Sequence, residues 1–229
     1  EVLAMTSLPQ LNPNAAGQGS AEARFNRATL GIYELGSTFK PFTVAMAMDA
    51  GFGRSIGQMY PCPNELRVAG RSISDTHPFN RACSVAEIMK ESSNIGTAQI
   101  ADQLGAKRQK AFLDKMGFLN RVGIELKEGG RTLRRESNWG PLETMTVGYG
   151  HGIAVTPLHL AIGYATLFNG GIYRPATLLK IDRTHAAAFL GLPFLGRLSV
   201  GREGHMPLRH APRLGRELVR VALVIGAED

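Results

Sequence analysis

The run Gly36-Ser37-Thr38-Phe39-Lys40-Pro41 sets a serine three residues ahead of a lysine. Residues three apart share a face of a helix. The stretch from Phe39 to Ala50 is mostly apolar and made of good helix formers, which predicts a helix with Ser37 at its N-terminal end. A serine hydroxyl is a weak nucleophile until a base takes its proton. A lysine serves as that base only when neutral, which requires burial or a neighbouring cation to lower its pKa. The free amides at a helix start favour developing negative charge. These features point to acyl transfer through a serine ester. An isolated Ser-x-x-Lys is also compatible with an N-cap serine beside a solvated lysine.

A second constellation, Ser92-Ser93-Asn94, lies 52 positions after Lys40. Serine and asparagine favour turns over helix interiors. A hydroxyl on a rigid turn relays a proton to a leaving group, and an amide holds the base and a substrate carbonyl. Taken alone, the same three residues read as a polar interhelix turn.

The elements that must position these residues are legible in outline. Val2 to Leu8 predicts a strand, and residues 10–23 an exposed loop rich in Asn, Gly, Ala and Pro. Gly51 ends the Ser37 helix. Leu66 to Ser74 reads as a hairpin or two short strands around Gly70. Ser84-Val85-Ala86-Glu87 has the form of a capping box and opens a short helix through Lys90. After the Ser92 turn, one helix runs from Ile95 to Leu104 and stops at Gly105; another runs from Ala106 to Met116 and stops at Gly117. Residues 118–143 are charged and loop-rich. Thr156-Pro157 is an N-cap and first-position proline for a helix through Phe168. Ile172 to Ile181 has an extended pattern.

Composition narrows the class. With 44% hydrophobic and 20% charged residues, the chain is an ordinary globular one. The net charge is +7, and residues 183–229 draw their basic side chains entirely from arginine. No run of basic residues with interleaved aromatics occurs, so nucleic-acid binding is not indicated. Cys62 and Cys83 are too few for a disulfide framework or a structural zinc site, and whether they form one bridge stays open. The uncharged stretch from Thr144 to Tyr173 is broken by glycines and Pro157 and does not read as a membrane span. His151 lies between two glycines as a tight-loop residue, and His205 and His210 have no metal-ligand spacing. Trp139 and Tyr149 read as packing or cleft-lining residues, and Asp75 and His77 as structural.

Ser-x-x-Lys followed by Ser-x-Asn resembles the active-site pattern of penicillin-binding proteins and serine β-lactamases. The flanking segments NRATLGIYELGSTFKPFTVAMAMDAG, ISDTHP, ESSNIGTAQIADQLG and GYGHGIAVTPLHLAIGYATLFNGG, in that order, resemble the transpeptidase domain of class B penicillin-binding proteins. The division-specific type, penicillin-binding protein 3, is the nearest likeness. The resemblance implies an α/β fold of the α+β type, with an antiparallel sheet and helices on both sides. It implies a peptidoglycan D,D-transpeptidase, with Ser37 attacking the penultimate D-alanine carbonyl and Lys40 activating Ser37. It gives Ser92 the proton to the leaving amine, and Asn94 a bond to Lys40 and to the substrate amide. Stem peptides ending in D-Ala-D-Ala, β-lactams as covalent ligands and division proteins are the implied partners. No metal or organic cofactor is implied, and the implied location is the periplasmic face of the inner membrane.

Two departures qualify that expectation. The family's third motif, Lys-Thr-Gly or Lys-Ser-Gly, lies on a central strand and supplies an oxyanion-hole donor. None of this chain's seven lysines precedes Thr-Gly or Ser-Gly. Losing one such donor costs about 10²–10³ in rate. The resemblance also covers residues 1–182 only, so the expectation is a partial transpeptidase domain cut at both ends, with an incomplete sheet. Residues 183–229 then form a non-homologous, Arg-rich tail that fits out-of-frame translation or a disordered extension. The alternatives are a serine β-lactamase or β-lactam sensor, and a catalytically dead fragment.

Overall fold

The computed structural model describes residues 1–52, 55–130, 133–134, 139–180 and 222–225. The expectation for residues 183–229 therefore lies outside the described residues, except for one short strand. Strand β1 (Ala4–Ser7) runs parallel to that strand, β9 (Ala222–Ile225), with Ala4 opposite Ala222. The remaining pairings are antiparallel. β2 (Tyr33–Glu34), β8 (Ile153–Val155) and β7 (Leu133–Arg134) form a three-stranded sheet in the order β2-β8-β7. β3 (Met59–Cys62) pairs with β6 (Arg81–Ser84), and β4 (Glu65–Val68) with β5 (Arg71–Ser74).

The β4–β5 hairpin turns through Ala69 and Gly70, at φ 50° and 74°. Two central residues of positive φ match the right-handed twist of the strands they join. Residues 10–23 are more ordered than their composition suggests. They hold a 3₁₀ turn at Pro13–Gln18 and the start of α1 (Ala21–Arg24), capped by Ser20, whose hydroxyl accepts from the Ala23 amide.

The helices carry the core. α2 (Lys40–Asp49) continues directly from a 3₁₀ turn at Gly36–Phe39. α3 (Val85–Lys90) begins with the expected capping box, in which Ser84 and Glu87 satisfy each other's backbone amides. α4 (Asn94–Lys115) is two helices joined at Gly105, whose φ of 74° breaks the helical path where the sequence places a stop. α6 (Pro157–Phe168) starts at Thr156, whose hydroxyl accepts from the His159 amide. α5 (Pro141–Gly148) falls partly in the segment read as loop. Its cap residue is Gly140, which has no side chain to signal a start or to accept from the first amides; only the reciprocal half of a capping box forms, with Glu143 accepting from the Gly140 amide at 3.1 Å. The extended pattern from Ile172 pairs into no strand among the described residues up to Lys180.

α2 packs between α4 and α6. Phe39, Phe42 and Phe118 are fully buried, and Phe118 meets the other two rings edge to face, with Phe42 and Phe118 ring centroids 5.0 Å apart. Gly163 of α6 lets that cluster close, since a Cβ there would lie 2.6 Å from the Phe118 ring. Thr43 on α2 donates to the Gly148 carbonyl at the end of α5 at 2.6 Å. Cys62 and Cys83, both buried, form a disulfide between β3 and β6, which answers the pairing the sequence leaves open. Among the described residues no helix is long and apolar enough to cross a membrane.

Candidate active site

Two helix starts meet at the site. The first is the turn before α2. Gly36 adopts φ +52°, which takes the chain into the 3₁₀ turn and leaves Ser37 exposed at its beginning. The turn is held from outside by Gly150, whose carbonyl accepts from the Gly36 amide at 3.1 Å. A Cβ on Gly150 would sit 2.1 Å from the Gly36 carbonyl oxygen, so this approach demands glycine. Tyr164 of α6 donates to the Thr38 carbonyl at 2.8 Å and fixes the next residue. One 3₁₀ turn after Ser37, at the first position of α2, Lys40 runs inward and is only 2% exposed.

The second start is the turn before α4. Ser92 has φ +56°, a left-handed conformation uncommon for a residue with a side chain. Its hydroxyl stands between the other two groups. Lys40 Nζ donates to Ser92 Oγ at 2.9 Å, and Ser92 Oγ donates to Ser37 Oγ at 2.9 Å. Lys40 Nζ also donates to the Ser92 carbonyl. Ser37, Lys40 and Ser92 are thus brought into one hydrogen-bonded chain. Asn94 is the first residue of α4, and its side-chain amide donates to the Ser74 carbonyl at 3.1 Å. Lys40 Nζ bonds to Ser92, and not to Asn94 as the resemblance implies, because the Asn94 side chain turns to Ser74.

The electrostatics suit a base. Burial lowers the Lys40 pKa from 10.5 to about 8, against the opposing pull of the Asp75 carboxylate. A lysine in that range offers an appreciable neutral fraction near neutral pH. Among the described residues no cluster of three His, Cys, Asp or Glu side chains is placed to hold a metal.

Asp75 is a site neighbour that the sequence reading left as structural. Its Oδ1 accepts from the Asn94 amide at 2.5 Å and the Ile95 amide at 3.0 Å, and its Oδ2 from Ser93 Oγ at 2.6 Å. Its only sequence signal is its place in the segment ISDTHP. His77 is exposed. His151 packs its ring against Tyr149 at 5.1 Å, and its amide donates to the Thr146 carbonyl. Trp139 donates to Gln109 at 2.8 Å and packs against the core cluster. His205 and His210 lie outside the described residues.

Residues 1–189 match the penicillin binding protein transpeptidase domain. The chain belongs to that family. The probable peptidoglycan D,D-transpeptidase FtsI of Caulobacter vibrioides is 34% identical over 181 residues, covering 79% of this chain and 30% of that protein. The peptidoglycan D,D-transpeptidase FtsI of Escherichia coli is 31% identical over 183 residues, covering 80% of this chain and 31% of that protein. The chain thus spans about a third of the length of the curated relatives it matches. Among solved structures, the TP domain of Burkholderia pseudomallei penicillin-binding protein 3 superposes with a TM-score of 0.67 at 24% identity, covering 79% of this chain and 54% of that one. The fold is that of a penicillin-binding-protein transpeptidase domain, α/β with small antiparallel sheets, and the relatives are of the penicillin-binding protein 3 type.

Proposed function

We propose that this chain carries the acylating half of a peptidoglycan D,D-transpeptidase active site. The observation that supports the reading most directly is the chain from Lys40 Nζ through Ser92 Oγ to Ser37 Oγ, with both links at 2.9 Å. With Lys40 protonated, the hydrogen bonds point from lysine to Ser37. With Lys40 neutral the direction reverses, because each hydroxyl both donates and accepts. Ser37 Oγ then attacks the carbonyl carbon of the penultimate D-alanine of a stem peptide. Its proton passes to Ser92 Oγ as the Ser92 proton passes to Lys40. When the tetrahedral intermediate collapses, the C–N bond breaks and the leaving D-alanine amine takes a proton back along the same path. The acyl group is left as an ester on Ser37. The amine of an acceptor strand attacks that ester and gives its proton to Lys40 through Ser92; as the ester C–O bond breaks, Ser37 Oγ takes that proton back along the same path, which regenerates the hydroxyl and neutral Lys40.

Asn94 takes the substrate amide in this scheme. One of its amide hydrogens is held by the Ser74 carbonyl, which leaves the second hydrogen and the oxygen for that contact. A β-lactam, whose strained amide mimics D-Ala-D-Ala, acylates the same oxygen. The reaction belongs on the periplasmic face of the inner membrane, among division proteins, and the Cys62–Cys83 bridge suits an oxidising compartment.

Incubation with a fluorescent penicillin followed by intact-mass measurement tests the reading. The expected result is one adduct on Ser37 that disappears in Ser37→Ala. A folded chain that takes no label would overturn the acylation reading. Sustained turnover of a chromogenic cephalosporin, in place of a single acylation, would favour a β-lactamase instead.

A further inference from the structure

The start of α4 is capped twice. A helix leaves its first amides without intrahelical partners, and one side chain just before it ordinarily satisfies one of them. Ser93 fills that local role, its Oγ accepting from the Gly96 amide at 2.9 Å. Asp75 adds a second cap from 18–20 residues away, taking the next two amides and the Ser93 hydroxyl itself. Both carboxylate oxygens are spent on three consecutive residues, Ser93 to Ile95. This cap satisfies two amides that Ser93 leaves over, and by gripping three residues at once it does more than stabilise the helix.

What the remote cap does need to hold is the residue before it. Ser92 sits at φ +56°, between the end of α3 and the start of α4. Its carbonyl is held by Lys40, while its own amide makes only a long 3.4 Å bond to the Met89 carbonyl. If residues 93–95 were free to shift, Ser92 would relax toward negative φ and swing its Cβ, and with it the hydroxyl, out of the line between Ser37 and Lys40. We propose that Asp75 is a positioning residue for acylation of Ser37: it anchors the start of α4 to the end of β5 and so keeps Ser92 Oγ between Ser37 Oγ and Lys40 Nζ. The inference rests on the acyl-transfer reading of the site.

The carboxylate also acts on Lys40 through space. Lys40 is faced by Ser37 from the turn before its own helix and by Ser92 from the turn before α4, neither of them charged at neutral pH. Lys90 and Glu91, at the end of α3, pair with each other at 3.1 Å. On the far side, Glu34 holds the Gly152 amide at 2.8 Å and His151 packs on Tyr149. Asp75 is the charged group whose field reaches the lysine, and it favours the protonated form. Its removal therefore has two separable consequences: the relay loosens, and Lys40 deprotonates at lower pH.

The test is the rate of penicillin acylation per acylable molecule, measured across pH in wild type, Asp75→Asn and Asp75→Ala. Asn keeps an acceptor for the two amides and loses the charge, so acylation on the upper pH plateau, where Lys40 is neutral in both proteins, slows about 10-fold. Ala loses the anchor, and a displacement on the ångström scale slows it about 100-fold. In both variants the midpoint of the pH profile moves below that of wild type. A merely structural Asp75 would lower the labelled fraction and the melting temperature while leaving the rate per labelled molecule and the midpoint unchanged; that result overturns the proposal. Should Asp75→Ala not fold, Asp75→Asn alone decides. A wild-type chain that takes no label brings down both the acylation reading and this inference, whereas equal rates and midpoints in labelled wild type and Asp75→Asn bring down this inference alone.

Discussion

Lys40 offers the sharpest quantitative prediction, because in the proposed acyl transfer its protonation state decides whether Ser37 reacts. An exposed lysine with a pKa of 10.5 is about 0.03% neutral at pH 7. With burial lowering the value to about 8, the neutral fraction at pH 7 becomes about 9%, a gain of about 300-fold. The acylation rate should therefore rise about tenfold from pH 7 to its upper plateau, with its half-point near pH 8. Stopped-flow mixing with a fluorescent penicillin, corrected for hydrolysis of the reagent, measures this directly. Lys40→Arg keeps a side chain that does not deprotonate, so its rate should fall by at least about 10² at every pH. The same titration has a stability sign. The unfolded chain keeps the Lys40 proton up to 10.5 while the folded chain releases it near 8, so in that window the unfolded state binds more protons and stability rises with pH. A rate that is flat through the window, or one still climbing with a midpoint near 10.5, would refute a buried neutral lysine as the base.

Two further perturbations probe what holds the site. Gly150→Ala introduces a methyl 2.1 Å from the Gly36 carbonyl oxygen at φ +86°, so it should cost about 1–3 kcal/mol and slow acylation, read by melting temperature and label uptake. An unchanged melting temperature would show that the Gly36–Gly150 contact is slack. Reduction of the Cys62–Cys83 bridge, which closes a loop of 21 residues, should remove about 3 kcal/mol of stability. The Cys62→Ala/Cys83→Ala double variant should be insensitive to reductant, and equal melting temperatures of wild type with and without reductant would contradict the bridge.

Much of the local structure was legible because it is encoded within a few residues. The Ser84–Glu87 capping box, the Ala69-Gly70 turn and the break at Gly105 are each set by neighbours in sequence, and each appears where the pattern places it. α5 escaped because its signal is distributed: a glycine cap, a first-position proline and a buried face built partly from Thr144 and Gly148 give no clear apolar period. Asp75 escaped for a different reason. A carboxylate followed by Thr-His-Pro has no local partner, and its meaning depends on a helix start 19 residues later. The residues assigned to the chemistry were named by type and spacing, whereas those holding them in register act only through the fold.

That division follows from the physics of the site. Ser37 and Lys40 keep their spacing through a single helix turn, so short-range geometry suffices for them. Ser92 belongs to another element, and a 2.9 Å link between helix starts requires both to be fixed from outside. Gly150 fixes one by approaching Gly36 more closely than any side chain permits, and Asp75 fixes the other by taking three donors at once. The two anchors use opposite chemistry, absence of a side chain on one side and a full charge on the other. Both are needed because Ser37 is exposed while Lys40 is buried: the hydrogen-bonded chain crosses from solvent to interior in two links, and neither serine can drift by an ångström without breaking it.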